Sequence, residues 1–174
     1  YAFGPLAPIL VSAALLAVVA GVVGTVTDRA IGRRRDLADV LDSFRETPTL
    51  LVPFGFGFAD RFAAGFFGLV GTYYFRDAFE LEPAGIGVLL ACFFAPFALL
   101  QYPFGALSDR IGRVLPIVAG SAGFGVAIVG VGLAPTILSA AAGMVLVGVL
   151  GALVAPATMA LVTDLVAPDE RGAA

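Results

Sequence analysis

Five long apolar segments dominate this chain and leave it few possible folds. They cover residues 5–26, 50–75, 84–104, 114–133 and 136–162. Crossing the hydrocarbon core of a bilayer takes about 20 residues of helix at a rise of about 1.5 Å per residue. Because lipid offers no partners to backbone N–H and C=O groups, such segments must be helical. The sequence therefore predicts an all-α, polytopic membrane bundle of about five transmembrane helices.

The composition agrees with a chain surrounded by membrane lipid. Hydrophobic residues make up 60% and charged residues 13%, against about 45–50% and about 25% in soluble domains. The net charge of -3 disfavours binding to nucleic acid, which requires a basic surface. The chain has no histidine and one cysteine, Cys92, so a Cys/His metal site and an intrachain disulfide are excluded. We expect no cofactor.

The arginines predict the orientation in a cell (plasma) membrane. If the five segments alternate in direction, eight of the 10 basic residues fall on one side, Arg76 lies alone on the other, and Arg61 lies within a segment. Arginine-rich connections stay in the cytoplasm. Residues 27–49 and 105–113 are then cytoplasmic and Tyr1 is extracytoplasmic. Residues 36–44 have helical apolar spacing, so they form either a short amphipathic helix at the inner surface or a solvated linker.

The connection 105–113 is a polar segment between two apolar ones. Gly105 and Gly112 permit tight bends, Asp109 can accept hydrogen bonds from a helix N-terminus, and Arg110 and Arg113 resist passage through the bilayer.

This nonapeptide resembles the signature loop of the major facilitator superfamily, Gly-x-Leu-Ala/Ser-Asp-Arg-x-Gly-Arg/Lys. Every defining position is present, at Gly105, Leu107, Ser108, Asp109, Arg110, Gly112 and Arg113. Residues 164–173 are similar to the acidic connection that follows the fourth helix of each half in that family. The resemblance implies an incomplete major-facilitator fold, with the remaining helices of a full-length transporter as partners.

Two placements within the family fold stay open. In the first, residues 1–26 are the sixth helix, residues 27–49 are the central linker, and residues 50–174 are helices seven to ten. In the second, residues 5–26 form an extra helix before helices one to four, which the pseudo-symmetry of the two halves permits.

The signature loop predicts a conformational latch. We expect Asp109 to cap a neighbouring helix N-terminus while Arg113, with Arg110 as a second candidate, pairs with Asp164. The cluster would then hold while the cytoplasmic side is closed. The alternative is that the arginines only set the topology and that Asp109 is solvated.

Asp60, Arg61 and Gln101 are the candidates for a substrate or proton pathway. Asp60 and Arg61 lie about 15 Å into their segment at helical rise, where charge is costly and usually functional. A carboxylate at this depth can carry a proton, and a guanidinium can hold an anionic solute. If the span begins nearer residue 53, both lie closer to the cytoplasmic rim. The amide of Gln101 can contact polar groups of a solute or bond to another helix.

The favoured function is secondary active transport of a small-molecule solute by alternating access, with a proton or another ion as coupling partner. The alternative is a non-transporting sensor or assembly module on the same fold. An enzyme is disfavoured because the chain lacks histidine, a phosphate-binding loop after a strand, and a Gly-x-Ser-x-Gly motif. We expect the chain to be part of a longer protein. Substrate, direction, coupling ion and oligomeric state stay open.

Overall fold

A computed structural model describes residues 7–25 and 48–165, apart from the side chains of residues 7–9, 50, 60 and 63. The chain forms two compact units, residues 1–33 and 34–174. All regular structure in the described residues is helical, which confirms the predicted all-α class. The predicted connection 27–49, its segment 36–44 and residues 166–174 lie outside the described residues except for the last positions of the connection.

The first unit contributes one apolar helix, α1 (Ala7–Gly24). Its described side chains are all exposed, and an apolar surface on every side suits contact with lipid. The helix ends where the Thr25 hydroxyl donates to the carbonyl of Val22 at 2.6 Å. These bounds lie inside the predicted span 5–26.

Within residues 48–165, the described part of the second unit, there are five α-helices and two short helical turns. In chain order these are a 3₁₀ turn (Pro48–Leu50), α2 (Leu51–Phe66), a π-helical turn (Phe67–Gly71), α3 (Thr72–Phe79), α4 (Pro83–Ile111), α5 (Val114–Gly132) and α6 (Ile137–Leu165). Helices α4, α5 and α6 are long and apolar enough to cross a membrane. They correspond to the third, fourth and fifth predicted spans.

The second predicted span, 50–75, is a composite helix. Helix α2, the π-helical turn and α3 follow one another without a break. At the widened turn, the hydroxyl of Thr72 donates to the carbonyl of Gly68 at 2.8 Å, so a side chain supplies a bond where the regular ladder is disturbed. The five predicted spans thus correspond to three long helices, one shorter apolar helix and this composite.

The prediction of a loop over residues 105–113 is wrong for most of its length. Helix α4 continues to Ile111, because the alanine, leucine, serine, aspartate and arginine in this stretch are all compatible with a helix. The bend lies at Gly112, where φ is 89° and ψ is 158° and the backbone N–H donates to the carbonyl of Ser108. Only glycine adopts this conformation without strain.

Helices α4 and α6 pack so closely that a glycine of each has a proline of the other as its neighbour. A Cβ atom added to Gly148 would lie 2.3 Å from the carbonyl oxygen of Phe93 and 2.8 Å from Pro96. Further along, a Cβ atom on Gly105 would lie 3.6 Å from the Cβ of Pro156. Small residues permit this approach between apolar helices. The buried core formed around this contact includes Phe75, Leu89, Phe93, Ala127, Val131, Met144 and Val147.

Two contacts show the relative directions of the helices within the second unit. At one end, the Tyr74 hydroxyl of α3 donates to the carbonyl of Gly132 at 2.9 Å, which satisfies one of the unpaired carbonyls at the end of α5. At the other end, Arg113 before α5 contacts Asp164 near the end of α6. Polar groups at both ends therefore join helices whose middle parts are apolar.

Candidate functional site

Arg113 stands at the junction of α4 and α5 and contacts three side chains. Its Nη1 donates to the Ser108 hydroxyl at 3.0 Å and to Oδ1 of Asp109. Its Nε donates to Oδ2 of Asp164 at 3.1 Å. Ser108 is fully buried, whereas the side chains of Asp109 and Asp164 are 64% and 55% exposed. We call these four residues the clasp.

The two carboxylates raise the pKa of Arg113 above its usual value, chiefly through the hydrogen bond with Asp109 and next through that with Asp164. Arginine is already protonated throughout the ordinary pH range. The clasp therefore holds a permanent positive charge between two acidic groups. Because both acids are largely in solvent, each ion pair contributes only about 0.2–1 kcal/mol.

The structure brings together the predicted partners Arg113 and Asp164, whereas the capping of a neighbouring helix by Asp109 stays a prediction. Helix α5 has no side-chain hydrogen bond at its N-cap, which is Arg113 itself. Within the described residues Asp109 does not cap α5, and its carboxylate accepts a hydrogen bond from the side chain of Arg113, four positions later. Arg110 is exposed on the last turn of α4, and among the described residues Asp164 is paired with Arg113 and not with Arg110. Leu107 is also exposed.

A cavity of about 740 Å³ opens between α2, α4 and α6. This volume lies in the range of about 300–1,000 Å³ that is usual for small-molecule sites. Its polar lining residues are Arg61, Gln101, Thr158 and Thr163. The rest of the lining is apolar and consists of Pro53, Phe54, Gly57, Phe58, Phe97, Ala155, Pro156, Met159 and Val162.

Two of the three predicted pathway residues, Arg61 and Gln101, line this cavity. The guanidinium carbon of Arg61 lies 6.0 Å from the ring centre of Phe97, a cation–π contact that contributes about 0.5–1 kcal/mol at exposed sites. The third, Asp60, belongs to α2 by its backbone, but its side chain lies outside the described part of the chain.

The Phe97 ring that faces Arg61 is itself supported by the core. It stacks on Phe93 with ring centres 5.6 Å apart, and Phe93 is only 5% exposed. A Cβ atom on Gly151 would lie 3.2 Å from the Phe97 ring, so α6 bounds the ring as well. The aromatic surface beside Arg61 is thus a fixed part of the cavity wall.

The threonines present hydrogen-bond acceptors to the cavity. The hydroxyl of Thr158 donates to the carbonyl of Val154 at 2.9 Å, and that of Thr163 donates to the carbonyl of Met159 at 3.0 Å. Since each hydroxyl hydrogen is used within α6, the oxygen can only accept from a solute. The Gln101 amide can both donate and accept.

The cavity and the clasp are neighbours at one end of the helices. Thr163 lines the cavity and the next residue, Asp164, belongs to the clasp. Along α4, Gln101 precedes Asp109 by eight positions, which is about 12 Å at helical rise. The clasp therefore adjoins one edge of the cavity.

Sequence reasoning missed Phe97, Thr158 and Thr163 as members of this site. Phe97 is one of 15 phenylalanines, and nothing in its local pattern distinguishes it from the others. The two threonines offered a weak indication, since they are the hydroxyl residues that follow Pro156 in an otherwise apolar segment.

A family model described as Major Facilitator Superfamily matches residues 53–174. This match begins in α2 and includes the cavity and the clasp. No match was found among curated proteins or among solved structures.

Proposed function

The chain belongs to the major facilitator superfamily, a family of membrane transporters, and we propose that it serves secondary active transport of a small solute by alternating access. Such transport needs a solute site that opens to the two sides of the membrane in turn. It also needs two arrangements of the helices that are close in free energy.

The observation that carries this proposal is the position of the cavity beside the clasp. A cavity of about 740 Å³ with a guanidinium and an amide in its wall suits a small solute. The four-residue clasp adjoins it through consecutive residues of α6. A sensor or assembly module on the same fold would have no need of a charged cavity of this size.

The clasp is the proposed latch for the cytoplasmic side. In this proposal, Asp109 caps the N-terminus of a helix from the rest of the transporter when that side is closed. The exposure of its side chain, 64%, supports this role because the carboxylate is accessible to a further partner. Arg113 and Asp164 hold the ends of α4 and α6 in the arrangement that presents Asp109.

The test is the accessibility of the cavity from the cytoplasmic side. Thr163→Cys is introduced into the full-length transporter, in a background with Cys92→Ala and no other reactive cysteine. Labelling by an impermeant maleimide is timed in inside-out vesicles. Loss of the clasp contacts in Arg113→Gln should open the cytoplasmic side and raise the labelling rate by about tenfold, the factor that corresponds to about 1.4 kcal/mol.

The matched control is Arg76→Gln, which removes an exposed arginine at the opposite end of the unit. Its labelling rate should equal that of the parent. An Arg113→Gln variant that labels no faster than the Arg76→Gln variant would remove the latch from the proposal.

Asp60 is the proposed carrier of a coupling proton. At each pH, the labelling rate of Thr163→Cys is divided by that of the same cysteine in SDS-unfolded protein, because maleimide reacts with the thiolate and its rate itself depends on pH. If Asp60 binds the proton, this relative rate should differ between low and high pH, since protonation changes the balance between the two arrangements. Asp60→Asn cannot titrate at this position and should give one relative rate at both pH values. A variant that keeps the full pH response excludes Asp60 as the coupling carboxylate.

A further inference from the structure

The lining of the cavity combines a large apolar surface with one positive charge. From this combination we infer that the transported solute is an amphipathic organic anion, with an apolar, ring-sized body and one carboxylate or similar anionic group. The inference rests on the proposed function and specifies the class of solute at the same site.

The apolar body is indicated by the residues that surround the space. The wall includes the rings of Phe54, Phe58 and Phe97 and the side chains of Met159 and Val162. Apolar surface of this extent binds a solute by removing apolar area from water. Aromatic side chains also favour a planar partner, which can lie against their rings or edges. A sugar or another polyol would leave most of its hydroxyl groups without partners on such a wall.

The anionic group is indicated by Arg61. Among the described residues that line the cavity, Arg61 carries the one formal charge. Its guanidinium can form charge-assisted, bidentate hydrogen bonds with a carboxylate. These bonds gain strength where apolar walls displace water. A neutral or cationic head group obtains no such contact from the wall.

Phe97 is the positioning residue for Arg61. The guanidinium carbon lies 6.0 Å from the centre of its ring, and the ring is stacked on the buried Phe93. Ordering a long side chain when a ligand binds lowers the affinity. Holding the guanidinium beside a supported ring reduces that cost, so loss of Phe97 should lower the ratio of anion to amide affinity in addition to weakening the apolar contact that all three probes share.

The experiment uses three probes with one apolar body and different head groups, namely 4-phenylbutyrate, 4-phenylbutyramide and 4-phenylbutylammonium. Their dissociation constants are measured by equilibrium dialysis against the full-length transporter in nanodiscs, with empty nanodiscs as the blank. We expect the carboxylate to bind about tenfold more tightly than the amide, as a charge-assisted hydrogen bond implies. The ammonium should bind most weakly.

Three variants connect this preference to the named residues. Arg61→Gln should bind the carboxylate about tenfold more weakly and the amide as before, which makes the two equal. Arg61→Lys keeps the charge but not the bidentate geometry, so its preference should be intermediate. Phe97→Leu should reduce the ratio of carboxylate to amide affinity by about threefold, as loss of a weak cation–π contact implies. Arg76→Gln is the control and should change none of the constants.

The inference is overturned if the ammonium binds most tightly, if the three probes bind alike, if none binds, or if Arg61→Gln keeps the full preference. The clasp test separates this failure from that of the proposed function. If Arg113→Gln raises the labelling of Thr163→Cys while the probes bind alike, transport stands and the anion preference falls. If the carboxylate is preferred but labelling never changes, the anion site stands and the clasp mechanism of the proposed function falls.

Discussion

Helix α6 meets α4 and α2 in two different ways. Towards α4 there is no room for one carbon atom, since a Cβ on Gly148 would lie 2.3 Å from the carbonyl oxygen of Phe93. Towards α2, a Cβ on Gly57 would have its nearest neighbour, a methyl group of Thr158, at 3.9 Å, and the cavity begins beside it. Close-packed interfaces transmit displacement and do not deform. The difference indicates that α4 and α6 move as one body, whereas α2 has space to shift.

The largest effect is expected from Gly148→Ala, which would break the close contact. The added methyl group forces α4 and α6 apart because the atoms it meets belong to the backbone and to a proline ring. Overpacking of this kind costs about 3 kcal/mol. The free energy of unfolding, measured by titration with SDS in mixed micelles, should fall by that amount.

Gly57→Ala is the matched control on the loose side of α6. The same methyl group has ordinary contacts there, and alanine favours a helix over glycine by about 0.5–1 kcal/mol. The free energy of unfolding should stay equal or rise slightly. If both variants lose the same stability, the two faces of α6 do not differ as described.

Gly112→Ala is expected to have the next largest effect. It tests whether the rigid pair formed by α4 and α6 ends at the bend after α4. With φ at 89° and ψ at 158°, this position is strained for any residue with a Cβ, at a cost of about 2 kcal/mol. Relaxation of the bend would also move Arg113 relative to Asp109. SDS titration should show this loss of stability for Gly112→Ala. Gly130→Ala, at a helical position with nothing within 4 Å of the added Cβ, should show no such loss. Equal losses would contradict the role of the bend.

Tyr74→Phe is expected to have a smaller effect. It tests whether the freedom of α2 to shift extends along the composite helix to α3. It removes the hydrogen bond from α3 to the end of α5 and leaves the ring in place, a loss of about 1 kcal/mol. Hydrogen exchange of the backbone in α3 should become faster, while that in α6 stays the same. Unchanged exchange in α3 would mean that packing alone holds this end.

The smallest expected effect concerns pH. The pKa of Arg113 is raised in the folded protein, so its contribution to stability is complete below the ordinary arginine pKa. It is lost only as the pH rises through the still higher folded value. The stability difference between the parent and Arg113→Gln should therefore be the same at neutral and mildly alkaline pH. A difference that shrinks over this range would show that the charge of the clasp depends on another group.

Much of the helical scaffold could be predicted from the sequence because the bilayer requires long apolar helices. Helices α4, α5 and α6 follow the predicted spans, and the signature loop led to the prediction that Arg113 pairs with Asp164. The end of α4 at Ile111 was missed because hydropathy falls at residues 108–110, whereas the preference of these residues for a helix does not fall. Only the glycine at position 112 marks the true bend.

The cavity could be predicted in part. Arg61 and Gln101 were identified because polar groups are costly within apolar helices. Phe97 and Thr158 were missed because their role depends on which helix faces lie side by side. That arrangement follows from close contacts between helices, such as Gly148 with Pro96. It cannot be predicted from the hydropathy and residue spacing of a single segment.

The π-helical turn Phe67–Gly71 determines in which direction the side chains of α3 point relative to those of α2. It accommodates one residue more than an α-helical turn would, so the parts before and after it are offset by about 100° from a continuous α-helix. With this offset, Arg61 lies on the cavity while Tyr74 reaches α5. Deleting one residue within the turn would let the segment rewind as a plain α-helix, and only one of these two side chains could then keep its place. Deletion of a single residue in this turn would thus rotate α3 relative to α2.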